Sequence, residues 1–184
     1  MGEVVSPQPV KLICGILASD LRCLQAAQEA LQRQYGRADC ISEVWPFTQT
    51  DYYREQTGPS ILRNFLAFEQ LIEPGRLAEI KHQTNELEKK LAEELKTPWP
   101  RPVNLDPGYL EPAKLVLAST KNFSHRIYIG QNMYAEVTLM FHKGAWRSFE
   151  FTFPDFRGPQ YHGFLSEVRE RLIRQRRELH EGKQ

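Results

Sequence analysis

Between Arg101 and Leu139 the chain sets Asn104, Asp106, Lys114, Lys121, His125, Arg126 and Glu136 among apolar, strand-forming residues. An unpaired charge buried in such a run is strongly unfavourable, so these groups must face water, satisfy one another or line a pocket. Their types point to two chemistries. Lys121, His125 and Arg126 suit a phosphate or carboxylate, because a guanidinium grips such a group with two parallel hydrogen bonds and a lysine adds a point charge. Asp106 and Glu136 offer hard oxygens to a divalent cation, and His125 or Glu136 can carry a proton. If a strand has begun at His125, alternation puts His125 and Arg126 on opposite faces, leaving only one of them for a shared pocket.

Local signals around these residues set the expected geometry. Asn104-Leu105-Asp106-Pro107-Gly108-Tyr109 reads as a turn, with Asp106 bonding its own backbone, Pro107 fixing one angle and Gly108 free to adopt a positive one. Asn104 is not needed for that turn, so it and Asp106 are available to a ligand or cation. At His142-Lys143-Gly144 a two-residue loop would set Glu136 opposite Phe151 and mix polar with apolar neighbours. A three-residue loop with Gly144 left-handed is therefore expected, placing Glu136 opposite Glu150 on a solvent-facing polar side. The competing readings give Glu136 a basic partner (Lys121, His125 or Arg126) or a shared cation. Phe153-Pro154-Asp155-Phe156-Arg157-Gly158 reads as a further turn in which Asp155 and Arg157 pair or cap.

Known catalytic patterns are missing. Gly15 is isolated and the residues after it carry no glycine, so neither a phosphate-cradling loop nor a dinucleotide fingerprint is present. There is no GxSxG, HExxH or Cys-His nucleophile pattern. The 184 residues carry a formal charge of +1, which supplies no overall field to attract nucleic acid or anionic lipid. Cys14, Cys23 and Cys40 lack CxxC spacing, which argues against a cysteine zinc site and for a reducing compartment. Acidic Glu3 with Pro7 and Pro9 does not resemble a signal peptide, and no apolar run is long enough to span a bilayer. A cytoplasmic location is expected, and no cofactor is assigned.

The elements that would position these groups follow from periodicity. Val10 to Ala18 is a strand apolar on both faces, followed by an Asp20-capped helix from Leu21 to Tyr35 that stops at Gly36. Strands are predicted over Cys40–Phe47 and Ile61–Ile72. The polar aromatic stretch Asp51-Tyr52-Tyr53-Arg54-Glu55 between them reads as a lid or an edge excursion. A helix starts near Pro74 and runs to Leu95 with apolar residues every three or four positions. Strands at Leu110–Ser119, His125–Ile129, Met133–Phe141 and Trp146–Phe153 precede a helix over Gln160–Leu179. Its arginines, offset by Glu167, Glu170 and Glu178, read as a solvated face rather than a nucleic-acid contact. The order predicts an α+β fold, a ferredoxin-like split β-α-β core with additional antiparallel strands and a C-terminal helix. One domain over 1–184 is expected, with flexible tails at 1–9 and 180–184.

Several segments resemble the DUF4416 family, a bacterial domain of unknown function. They are Leu62 through Asn85 with Arg63-Asn64-Phe65, Asn104 to Tyr109, Lys114 to Tyr128, Tyr134 to Leu139, and Thr152-Phe153-Pro154-Asp155. The family pattern has Trp before Thr and Tyr around the Pro-Asp pair, where this chain has Phe151, Phe153 and Phe156. Glu150 lies outside the pattern, which weakens a Glu136–Glu150 site. The resemblance implies a fold without implying an activity. Three functions remain open. The first is binding of a small anionic molecule, such as a nucleotide or phosphorylated metabolite, by Asn104, Asp106, Lys114, Lys121, His125 and Arg126. The second is a phosphoester hydrolase or transferase with metal on Asp106 and Glu136 and His125 as proton carrier. The third is a noncatalytic protein or RNA interaction module.

Overall fold

Strand β1 (Val10–Ala18) is buried along its whole length, as expected of a strand covered on both faces. Its one charged residue, Lys11, is fully buried. Lys11 Nζ donates to Asp39 Oδ2 at 2.8 Å, the Phe68 carbonyl at 2.9 Å and Gln175 Oε1 at 2.8 Å. Three acceptors use all three ammonium donors, which makes the burial tolerable. The computed structural model describes residues 2–48 and 54–182. Helix α1 (Leu21–Tyr35) begins on Asp20, whose Oδ1 accepts from the Cys23 N–H, and ends at Gly36 with φ of 85°.

The remaining elements are β2 (Ala38–Ile41), β3 (Trp45–Pro46), a short α2 (Arg54–Thr57), β4 (Leu62–Ile72) and α3 (Leu77–Leu95), the last entered by a 3-10 turn at Pro74–Arg76. Then come β5 (Val103–Glu111), β6 (Lys114–Ser119), β7 (Ile127–Gly130), β8 (Met133–His142), β9 (Ala145–Ser148), α4 (Pro154–Arg157) and α5 (His162–Glu181). The strands join in one antiparallel sheet ordered β2-β4-β1-β5-β6-β8-β7, with β3 added to β4 and β9 to β8. α1 and α3 cover one face, packing Leu24, Leu31, Ile80 and Leu91 on Leu12, Ile16, Phe68 and Leu105. α5 covers the other, setting Leu165, Val168 and Leu172 against Ile13, Phe65, Leu117 and Leu139. The protein is thus α+β with a large antiparallel sheet and a C-terminal helix. That helix continues through Glu181, so the tail expected from 180 starts inside it. No described helix is long and apolar enough to cross a membrane.

Four local expectations are corrected. Asn104 to Tyr109 is not a turn but the body of β5, and the turn lies between Glu111 and Lys114. Pro107 survives in this strand because β6 pairs only with Gly108–Glu111, leaving the β5 edge before Gly108 without a strand partner. Cys40–Phe47 breaks into β2 and β3. β7 starts at Ile127, two residues later than His125. The β8–β9 hairpin has a two-residue loop, with His142 opposite Ala145 and both Lys143 (φ 50°) and Gly144 (φ 78°) left-handed. The mismatch expected of that loop never arises, because β9 ends at Ser148, before Glu150 and Phe151 can pair. The same register sets Trp146 opposite Phe141, where the rings pack edge to face.

Candidate functional site

The sheet brings Arg63, Asn104 and Asp106 to one end of the α5-covered face. Leu17 of β1 pairs with Arg63 on one side and Asn104 on the other, while Gly15 pairs with Phe65 and Asp106. Cross-strand partners share a face. Gly15 makes room at the centre, since a Cβ there would stand 2.9 Å from an Arg63 terminal nitrogen and 3.0 Å from the Phe65 ring. Arg63 is buried, with one terminal nitrogen 3.3 Å from Asp106 Oδ2 and the other 2.7 Å from Asp155 Oδ2. Rings of Phe47, Phe65 and Phe156 stand 5.2 to 5.7 Å from its guanidinium carbon. Burial opposes the charge, yet Asp155 and Asp106 together hold the Arg63 pKa above its ordinary value. Burial likewise pushes Asp106 up, and Lys81 and Arg63 outweigh it, so its carboxyl stays below the ordinary range.

Beside Asp106 the sheet parts. Leu105 would need a partner strand, and side chains of α3 replace one: its N–H donates to Glu88 Oε1 at 2.7 Å and its carbonyl accepts from Lys81 Nζ at 2.7 Å. Arg101 holds the other Glu88 oxygen with bonds of 2.9 and 2.7 Å. Pro107, two residues on, faces the same edge as Leu105, so its missing N–H removes no ladder bond. Two buried donors at this end find no acceptor among the described residues, Arg63 Nε and Asn104 Nδ2. The Asn104 amide is near enough to help lower the Asp106 pKa without completing a hydrogen bond. Asp155 also borders an open cavity of about 410 Å³ with Pro154, Gly158, Pro159 and Gln160.

A second cluster lies on the same face. Glu136 of β8 pairs with Leu117 and is buried rather than solvent-facing, and Glu150 is not its neighbour. Its Oε2 meets His125 Nε2 at 3.1 Å and the Arg126 Nε–H at 2.8 Å, which is the basic-partner arrangement. Both neighbours reach it because they sit in the loop before β7, where strand alternation does not apply. Arg126 also donates to the Lys121 carbonyl at 3.0 Å. The His125 ring stacks on Phe151 at 4.3 Å, and Arg126 lies 5.7 Å from the Phe153 ring centre. The segment from Phe149 to Arg157 therefore touches both clusters, through Phe151 and Phe153 at one and Asp155 at the other. Arg157 does not pair with Asp155; it donates to the carbonyls of Thr152 and Glu150, each at 2.7 Å.

Of the sequence candidates, Asn104, Asp106, Lys121, His125, Arg126 and Glu136 gather at one end of the sheet. Lys114 does not, being paired with Glu111 at 3.3 Å at the far end of β6. Asp106 and Glu136 lie two strands and one two-residue step apart, roughly 12 Å between α-carbons from standard strand spacings. Each already meets its own base. The described residues hold no group of three or more His, Cys, Asp or Glu side chains placed for a metal ion. Asp51, Tyr52 and Tyr53, the expected lid, lie outside the described residues. The centre the candidate set missed is Arg63 with Asp155, Lys81 and Glu88. A charged residue inside the apolar run from Ile61 to Phe68, and a glycine inside β1, were its signals.

A comparison with curated proteins and with solved structures gives no match. The family model of DUF4416, a domain of unknown function, matches residues 8–172, a span that contains both clusters. The chain belongs to the DUF4416 family.

Proposed function

We propose that this cytoplasmic protein binds a small anionic molecule, a nucleotide or phosphorylated metabolite, at the end of the sheet where β5 and β6 part. One observation carries the reading: buried Arg63 Nε and Asn104 Nδ2 are donors without an acceptor, beside a partly exposed Asp106. Unsatisfied buried donors are costly, and a ligand oxygen would satisfy them. Lys121, His125 and Arg126 border the same end. In this reading β1-α1-β2 and β4-α3-β5 form a ferredoxin-like split β-α-β core. Its support is that β1 and β2 run the same way with β4 between them.

The test is a thermal-shift screen over nucleotides, sugar phosphates and pyrophosphate, repeated with Lys121→Ala and Arg126→Ala. A ligand at a hundred times its Kd should add about 2.7 kcal/mol, and both variants should weaken it. If no anion raises the wild-type melting temperature, the reading is abandoned. A phosphoester-cleaving enzyme would need Asp106 and Glu136 to share a metal, and nothing in their separate pairings favours that. A binding-module reading has one observation behind it, the exposure of Phe123, Ile127 and Tyr128 at edge strand β7. Salt-sensitive RNA binding would favour it instead.

A further inference from the structure

We propose that β7 joins two copies of this chain edge to edge, through antiparallel pairing of Ile127-Tyr128-Ile129 with its own two-fold image. The inference concerns a different surface from the Arg63 end and goes beyond the anion-binding reading. β7 closes one side of the sheet, and among the described residues it pairs with β8 alone. Its outer row of N–H and C=O groups is therefore open to another strand. Ile127 is 72% exposed, Tyr128 57%, and Phe123 in the loop before them 64%. The opposite side of the sheet is built differently. There β2 has four residues, with Asp39 turned inward to Lys11, and β3 has two residues, one of them Pro46. Short strands, an inward-pointing charge and a proline are devices that keep an edge from pairing. β7 carries neither charge nor proline, and its neighbour Arg126 is drawn inward to Glu136 at 2.8 Å. Its one register shift falls after Tyr128, beside the turn at Gln131-Asn132.

The residues of β7 then select the occupant. Ile127 pairs with Ala135 on the α3 side of the sheet, where Ile129 packs with Val116 and Ala118. Tyr128 lies on the other side, its ring edge-on to Tyr134 at 5.6 Å. A strand added here must therefore be aliphatic on one face and aromatic on the other. The three residues Ile127-Tyr128-Ile129 read the same in both directions. A two-fold axis through Tyr128 sets Ile127 of each copy opposite Ile129 of the other and brings the two Tyr128 rings side by side, so both faces are matched. A two-fold axis normal to the sheet makes the new pair antiparallel, as every pair within the chain already is. The formal charge of +1 leaves little repulsion between copies.

The experiment is sedimentation equilibrium of the full chain up to about 100 µM, which covers dissociation constants into the micromolar range. The wild-type protein is expected to dimerise. Ile127→Lys, a change at a largely exposed position, should weaken the dimer by about tenfold or more, because each copy then brings an ammonium into the interface. Register is tested by cross-linking. All three native cysteines are buried, so a cysteine placed on the axis reports alone. Directly opposed residues of an antiparallel pair stand about 4.5–5.5 Å apart at their α-carbons, within reach of a disulfide. Tyr128→Cys should therefore link two copies under mild oxidation, and Leu21→Cys, equally exposed on α1 at 68%, should not. A wild-type protein that stays monomeric overturns the inference and leaves β7 to another occupant, such as an extended peptide or RNA. A dimer that persists undiminished in folded Ile127→Lys overturns it too, as does Tyr128→Cys linking no faster than Leu21→Cys. The thermal-shift screen decides the anion-binding reading separately, so either can fail while the other stands.

Discussion

Replacing Arg63 with methionine removes the cation that two carboxylates share and keeps most of the side-chain volume. Asp155 is buried, its side chain 5% exposed, and cannot turn to solvent, whereas Asp106 at 29% can relax partly into water. Breaking one buried pair by deleting a partner costs roughly 3–5 kcal/mol, and Asp155 should account for most of that here. The Tyr161 hydroxyl, 3.5 Å from Asp155, is too distant to compensate. At about 2–4 °C per kcal/mol for a chain of this size, the melting temperature should fall by roughly 6–20 °C. Urea unfolding at pH 7 followed by circular dichroism measures the loss directly. Adding Asp155→Asn to Arg63→Met removes the stranded charge and should recover about 1–2 kcal/mol, since replacing a buried pair is far milder than halving it. The pH dependence supplies a second sign. Asp106 is held below its ordinary pKa in the folded state, so its stabilisation is present above the unfolded carboxylate pKa and lost as pH falls through the folded one. Without Arg63 that acid loss should shrink. A single variant costing under about 1 kcal/mol, or a double variant no more stable than the single, would refute the view that Arg63 neutralises buried carboxylates.

Other expectations test neighbouring features. Gly108→Ala drives a methyl into the Val116 carbonyl and the Leu117 side chain, where β6 crosses β5. It should cost at least the 1–3 kcal/mol typical of overpacking, measurable by chemical denaturation. Lys143→Asn suits the left-handed first position of the two-residue β8–β9 loop and should raise stability by a few tenths of a kcal/mol or more; a loss would speak against that turn. Cys14, Cys23 and Cys40 are all buried. Burial pushes the Cys40 thiol up to about 12, with Glu167 adding to it, and raises Cys14 as well. Native protein at pH 8 should therefore react with a thiol reagent far more slowly than unfolded protein, and rapid labelling of Cys40 would contradict its placement under α5.

Local chemistry alone accounts for β1, for α1 from its Asp20 cap to Gly36, for β4 and for α3, because periodicity and caps act between residues close in the chain. It also marks the residues from Asn104 to Glu136 as ones that need partners. It misreads Asn104–Tyr109 as a turn, since Asp-Pro-Gly favours turns locally, and only α3 side chains on Leu105 and a tight β6 crossing at Gly108 make a strand there. It also leaves Glu136 facing water, because the residues that cover it, His125 and Arg126 with the Phe151 and Phe153 rings against them, arrive from segments outside β8. Composition and pattern determined the α+β class, the helices, the central strands and the segments that carry the charge. The tertiary structure alone decided which charges meet. Arg63 lies 43 residues from Asp106 and 92 from Asp155, and a spacing of that length records neither strand register nor the path by which α4 returns over the sheet.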